Sequence, residues 1–127
     1  MKSIFTKTAP KPAGHYSQAV VHGDTVFVSG QLPIDPRTGE NCTGSIEEQA
    51  KLVLSNLAEI LKAANSDTDH VIKTTVYISD IGLWSRVNHV YAEFFGEHRP
   101  ARAVVPTRDL HFGFQVEVEA IAVVKQD

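Results

Sequence analysis

Residues 116–123, which read Val-Glu-Val-Glu-Ala-Ile-Ala-Val, decide the fold class of this chain. β-Branched residues dominate the stretch, and side chains on a strand alternate between two faces, so the pattern predicts a strand. One face is entirely apolar, whereas the other carries Glu117 and Glu119 before it too becomes apolar. We therefore expect a strand in a sheet that buries one of its faces.

A second strand is predicted over residues 101–105, where Arg102 shares a face with Val104. Arg102 and Glu117 are thus ionised side chains among small apolar neighbours, and such groups need partners because an unpaired charge is costly to desolvate. Two interpretations stay open on these strands alone. The two residues form a structural ion pair, or they belong to a site that binds a small polar ligand.

Two helices are predicted from capping residues and hydrophobic periodicity. Ser45 and Glu48 form a capping box, and apolar residues recur at helical spacing from there to residue 64. Asp80 is the predicted cap of a second helix, which Gly96 ends. Asn88 lies at the edge of the apolar stripe of this second helix. Its amide must find hydrogen-bond partners, either in solvent, in a neighbouring loop or in a ligand.

The other segments complete an α+β order. Residues 6–15 are predicted as an extended lead-in, and residues 17–29 as a hairpin around a Gly-Asp turn. Residues 71–79 alternate as a strand, with Ile72 on the same face as Thr74. The order strand-strand-helix-strand-helix-strand-strand predicts a single mixed sheet with both helices on one face. The other face also carries apolar side chains, which predicts self-association through it.

Composition limits the possible functions. The 127 residues fit a single domain spanning 1–127, with a net charge of −3 and no basic stripe, so we expect no nucleic-acid partner. No apolar run resembles a signal peptide or a membrane span, and the single Cys42 excludes an intrachain disulfide, which favours a cytoplasmic protein without a membrane partner. The six histidines lack metal-ligand spacing, and no phosphate-binding loop is present, so we expect neither a metal nor a cofactor.

Five parts of the sequence, in one unbroken order from about residue 6 to the end, match the motifs of a known family. They are Gly-His-Tyr-Ser-Gln-Ala at 14–19, Val-Ser-Gly-Gln-Leu-Pro at 28–33, Val-Ile-Lys-Thr-Thr-Val at 71–76, Val-Asn-His-Val-Tyr at 87–91, and Pro-Ala-Arg at 100–102 with Val-Glu-Val-Glu-Ala-Ile-Ala at 116–122. The chain thereby resembles the Rid family, the YjgF-type reactive intermediate deaminases.

The resemblance implies a chorismate-mutase-like α+β fold assembled as a homotrimer, with three sites in the clefts between subunits. It also implies hydrolysis of 2-imino acids, formed from reactive enamines such as 2-aminoacrylate, to 2-oxo acids and ammonia, without a cofactor. By the same resemblance Arg102 holds the substrate carboxylate and Glu117 is placed near the attacking water. The residues that match the family's cleft lining are Tyr16, Ser29, Gly30 and Asn88.

Two departures from the family pattern bear on activity. His15 stands where many deaminating members have proline, and Val104 stands where they often have cysteine. Val104 is expected to make its side of the pocket more apolar and to shift substrate preference. Two alternatives also remain: a non-catalytic regulatory protein that binds small carboxylates, and a ribonuclease or translation-inhibitor type of family member.

Overall fold

The computed structural model describes residues 1–126, which form two α-helices and a six-stranded sheet. Neither helix in this range has the length and apolar character that crossing a membrane requires. The helices are α1, Ile46–Ala63, and α2, Trp84–Phe95. The strands are β1, Lys2–Ile4; β2, Ala19–His22; β3, Thr25–Gln31; β4, Val71–Ile78; β5, Ala101–Pro106; and β6, Val116–Val123.

The strands form one mixed sheet in the order β1-β2-β3-β6-β4-β5. β4 and β5 run parallel, and the other neighbouring strands run antiparallel. Along β6, the side chains from Val116 to Ala122 on one face are buried, and those from Glu117 to Val123 on the other are partly exposed. The buried face packs against the helices. The predicted α+β class, with both helices on one face of a single mixed sheet, is confirmed.

Helix α1 begins as predicted. The Ser45 hydroxyl accepts a hydrogen bond of 3.1 Å from the Glu48 amide and so satisfies one of the free N–H groups of the first turn. Leu57 and Ile60, in the middle of the apolar stripe, are fully buried. The helix ends just before Asn65, which has a positive φ of 56° and breaks the helical path.

The start of helix α2 differs from the prediction. Asp80 caps a short 3₁₀ turn, Ile81–Leu83, by accepting a hydrogen bond of 2.7 Å from the Gly82 amide, and α2 begins only at Trp84. The prediction that Asp80 caps α2 itself is wrong, because the short side chain bonds the amide two residues on and closes a separate turn. Gly96, with φ of 65°, ends α2 as predicted.

Strand β4 carries a bulge that simple alternation does not predict. One extra residue lies between the pairs that Val71 and Lys73 make with β6. As a result Val71 is 2% exposed and Ile72 is 48% exposed. The prediction that Ile72 shares a face with Thr74 is wrong, because a bulge inserts a residue and reverses the alternation on one side of it.

The N-terminal region is held by a buried glutamine. Strand β1, which pairs with β2, is only three residues long and left no periodic signal in the sequence. Residues 6–15 form turns and bends, without helix or strand. Gln18 is 1% exposed; its Nε2 donates to the carbonyls of Thr6 and Pro10, and its Oε1 accepts from the Thr6 amide. This buried amide fixes the lead-in against the sheet because each of its polar atoms is satisfied by backbone.

Candidate functional site

Arg102 lies on β5 and is oriented by side chains of α2. Its Nη1 donates a hydrogen bond of 2.8 Å to Asn88 Oδ1. Its Cζ lies 4.8 Å from the Tyr91 ring centroid and 5.8 Å from that of Trp84. We call these four residues the arginine half-site. No acidic side chain within residues 1–126 lies at salt-bridge distance from Arg102, so an amide and two aromatic rings orient the guanidinium.

Helical spacing explains how α2 builds this half-site. Trp84, Asn88 and Tyr91 recur four and then three residues apart, which places them on one face of the helix. Tyr91 is fixed in turn by its hydroxyl, which forms a buried hydrogen bond of 2.7 Å with the Thr74 hydroxyl of β4. The aromatic face beside the guanidinium is therefore tied to the middle of the sheet.

A cleft of about 550 Å³ opens beside Arg102, and Tyr91, Phe95 and Arg99 are among its lining residues. Asn88 engages one terminal nitrogen of the guanidinium. An arginine has five N–H donors in a planar fork, so the remaining donors can reach the two oxygens of a carboxylate. The arginine half-site is thus suited to hold a small carboxylic acid.

Glu117 lies on the opposite face of the sheet, beside a bulge in β3. There Ser29 and Gly30 lie opposite the single residue Glu119 of β6. The Ser29 hydroxyl donates a hydrogen bond of 2.6 Å to the Ser17 carbonyl. Bulges of this kind redirect the chain and occur often beside active sites. Here the bulge brings the Gly30 backbone against Glu117.

Glycine at position 30 lets the Glu117 side chain lie directly against the backbone of β3. A Cβ at Gly30 would overlap the Glu117 carboxylate. Tyr16, which is 49% exposed, lines a cavity of about 290 Å³ together with Gly30, and its hydroxyl accepts a hydrogen bond of 3.2 Å from the Ala13 amide. We call Tyr16, Ser29, Gly30 and Glu117 the glutamate half-site.

Half-burial changes the acidity of Glu117. Burial raises the pKa of its carboxyl above the ordinary value of 4.5, His111 opposes this shift, and the Glu119 carboxylate adds to it. The Glu117 carboxylate has no hydrogen-bond or ion-pair partner within residues 1–126. A carboxylate that is partly desolvated and lacks a partner is a stronger base than an exposed glutamate.

Glu119 has a different environment on the same face. The Tyr77 hydroxyl of β4 donates a hydrogen bond of 2.5 Å to Glu119 Oε1. This bond raises the pKa of Tyr77, since ionised Tyr77 would face the Glu119 carboxylate. The two glutamates are therefore distinguished by their partners. The Glu119 carboxylate is bound to the Tyr77 hydroxyl, whereas the Glu117 carboxylate is free to contact a water or a ligand.

One chain does not bring Arg102 and Glu117 together. Arg102 pairs with Thr74 and Glu117 with Tyr77, three positions apart along β4. An odd offset places the two side chains on opposite faces of the sheet, and strand geometry puts their Cα atoms roughly 14 Å apart. Of the six predicted site residues, Arg102 and Asn88 meet in one half-site, and Tyr16, Ser29, Gly30 and Glu117 lie in the other. The interpretation as an ion pair within one chain is wrong.

Several residues of these half-sites were not predicted as such. Trp84 and Tyr91 were absent from the predicted site, although their spacing from Asn88 places all three residues on one helix face. His111 drew attention in the sequence only as one of six histidines without metal-ligand spacing, yet it lines the same cavity as Tyr16. Val104 lies on the face of Arg102, as predicted, but packs against the core rather than lining the cleft. Within residues 1–126 no three potential metal ligands cluster.

Comparison with known proteins gives one consistent family. Residues 6–124 match the family described as endoribonuclease L-PSP. A RutC family protein of Pyrococcus horikoshii is 49% identical over 119 residues, which are 94% of each chain. The 2-iminobutanoate/2-iminopropanoate deaminase of Rattus norvegicus is 46% identical over 96% of this chain and 89% of its own length. The crystal structure of the YjgF gene product of E. coli superimposes with a TM-score of 0.93, at 38% identity, over 98% of this chain and 100% of that one.

Proposed function

We propose that this chain, which belongs to the endoribonuclease L-PSP family of YjgF, Rid and RutC proteins, hydrolyses 2-imino acids to 2-oxo acids and ammonia. Arg102 is the observation that carries the proposal. Its guanidinium is oriented by Asn88 and Tyr91, opens into a cleft and has no carboxylate partner within residues 1–126. An arginine held in this way is ready to bind the carboxylate of a 2-imino acid.

The chemistry needs little beyond positioning and one base. When the imine nitrogen is protonated, the imine carbon is electrophilic. Glu117 accepts a proton from water as the water oxygen bonds to that carbon. The π electrons of the C=N bond move to nitrogen and give a carbinolamine. Glu117 then returns the proton to nitrogen, the C–N bond breaks, and ammonia leaves. The hydroxyl proton passes to the released ammonia, so an iminium and a water become a ketone and an ammonium ion.

We further propose that the complete site forms between subunits of a homotrimer. Arg102 and Glu117 lie on opposite faces of one sheet, so a second chain must supply one of them to a ligand as small as 2-iminopropanoate. The open face of the sheet carries exposed or half-exposed apolar side chains, including Phe27 and Ile121, which a partner would cover. Light scattering should give about three times 13.9 kDa. A stable monomer at micromolar concentration would contradict the intersubunit site.

A direct assay tests the reaction. Freshly generated 2-aminoacrylate or 2-iminobutanoate is mixed with the protein, and keto acid and ammonia are measured against the uncatalysed rate. Acceleration that is lost in Arg102→Ala is the expected result. Binding of pyruvate without any acceleration would instead support a non-catalytic carboxylate-binding protein. A parallel incubation with single-stranded RNA, in which no cleavage is expected, tests the activity named in the family description.

A further inference from the structure

The turn before β6 presents an exposed aromatic side chain in an unfavourable backbone conformation. Phe112 is 62% exposed and has a φ of 56°, and Gly113 follows with a φ of 74°. The left-handed region is uncommon for bulky residues, because the Cβ crowds the backbone there. Phe112 thus combines backbone strain with exposure of a large apolar group.

The turn is firmly anchored, so looseness does not explain this conformation. The Phe112 ring lies edge-on to Phe114, with centroids 5.7 Å apart, and Phe114 is 2% exposed. The Phe114 amide donates to the His111 carbonyl at 3.0 Å. The Gln115 amide, one residue later, donates to the buried Gln49 side chain at 2.9 Å. The conformation of Phe112 is therefore imposed by its surroundings, which is how strain is maintained at functional sites.

Phe112 faces the glutamate half-site. With His111 it lines the cavity of about 290 Å³ that also contains Tyr16 and Gly30. Gly30 in turn touches the Glu117 carboxylate. The cavity wall beyond Tyr16 is largely apolar, and it includes Leu32 and Ile34. A cavity of this volume exceeds what the methyl group of 2-iminopropanoate can fill.

We infer that Phe112 is a specificity-determining residue, and that it favours 2-imino acids with apolar side chains larger than methyl. The inference rests on the proposed deaminase function. Arg102 binds the substrate carboxylate, and Glu117 directs the water at the imine carbon. The substrate side chain then extends into the cavity that Phe112 lines. Contact with the ring removes apolar surface of the substrate from water, and this gain grows with the size of the substrate side chain.

The test compares two imines, produced by an amino-acid oxidase from leucine and from alanine. In Phe112→Gly, kcat/KM for the leucine-derived imine should fall about tenfold or more, while that for the alanine-derived imine should change by less than about twofold. Phe112→Ala should show the same selectivity loss. Phe5→Ala, which removes an aromatic ring that is 57% exposed outside the cavity, serves as the control and should leave both rates unchanged.

The glycine variant separates specificity from folding. Both variants lose the ring contact with Phe114, but glycine adopts a φ of 56° without strain, so Phe112→Gly should melt higher than Phe112→Ala. An equal loss of rate for both imines, or no change for either, would overturn the inference.

Failure of the deaminase proposal would be seen separately, because the wild type would then hydrolyse neither imine. The role of Phe112 would still be measured by titration with pyruvate and with 4-methyl-2-oxopentanoate. Phe112→Gly should weaken binding of the larger acid about tenfold and leave pyruvate binding unchanged. Equal affinities of wild type and variant for the larger acid would overturn the inference in that case.

Discussion

The arginine half-site and the glutamate half-site are built on different principles. In the former, side chains orient side chains: Asn88 bonds Arg102, and Thr74 fixes Tyr91 beside it. In the latter, the backbone carries the geometry, since a bulge in β3 brings Gly30 against Glu117. One half-site thus has a preorganised cation, and the other has a half-buried carboxylate that burial makes more basic.

Under the proposed deaminase function, this difference divides the work between binding and chemistry. A guanidinium whose partners are already in place can recognise a carboxylate without reorganising, and so contributes mainly to affinity. A carboxylate that lacks partners can exchange protons, and so contributes mainly to turnover. Within one chain the two lie on opposite faces of the sheet, so substitution of one leaves the local structure around the other intact.

Loss of Arg102 should have the largest effect. In Arg102→Ala, pyruvate binding should weaken at least roughly a hundredfold, because charge-assisted hydrogen bonds contribute about 1.5–3 kcal/mol each. Arg102→Lys keeps the charge without the planar fork and should remain markedly impaired. The control is Arg86→Ala, which removes an exposed arginine paired with Glu47. Calorimetric titration that finds wild-type affinity in both Arg102 variants would place the carboxylate elsewhere.

Mixing two inactive variants should restore activity if the half-sites come from different chains. Arg102→Ala and Glu117→Gln are unfolded together in equal amounts and refolded. Random trimers should then recover about a quarter of the wild-type rate, because one site in four combines an intact Arg102 with an intact Glu117. Each variant refolded alone is the control. A mixture no more active than its components would show that both residues act within one chain.

The two glutamates should respond differently to loss of charge. Glu117→Gln should lower kcat for imine hydrolysis with little change in pyruvate affinity, since the base is lost while Arg102 remains. Glu119→Gln should instead lower stability by about 0.5–1.5 kcal/mol, because the Tyr77 hydroxyl loses its charged acceptor. Rate measurements and thermal melts on both variants decide the assignment. A catalytic loss confined to Glu119→Gln would show that Glu119, and not Glu117, positions the water.

The smallest predicted effect is a pH-dependent change in stability. Burial raises the pKa of Glu117 above 4.5, so the folded state binds its proton more tightly than the unfolded state does. The free energy of unfolding therefore falls as pH rises from 4.5 through the raised pKa of Glu117, and it stays lower at neutral pH. Glu117→Gln should melt slightly higher than the wild type at pH 7, and this difference should vanish near pH 4. Glu40→Gln, which removes one charge from an exposed loop, is the control.

Local patterns predicted much of the fold. The Ser45 cap with its following stripe, the alternation of β6 and the stop at Gly96 all depend on residues close together in the chain. Two of the errors were non-local. Ile72 faces outward because of how β4 pairs with β6, and β1 is too short to be predicted without its pairing to β2. The error at Asp80 was local, because its side chain bonds the Gly82 amide and closes a separate turn before α2 begins.

The sequence by itself supplied the six candidate site residues, through the motifs that resemble those of the family. It also determined the strands on which Arg102 and Glu117 lie. Only the tertiary structure decided that the two residues lie on opposite faces, that Asn88 rather than a carboxylate orients Arg102, and that Phe112 walls the cavity beside Glu117. The physical reason is that register between strands and the packing of a helix on a sheet depend on partners distant in sequence, and an offset of one residue exchanges the faces.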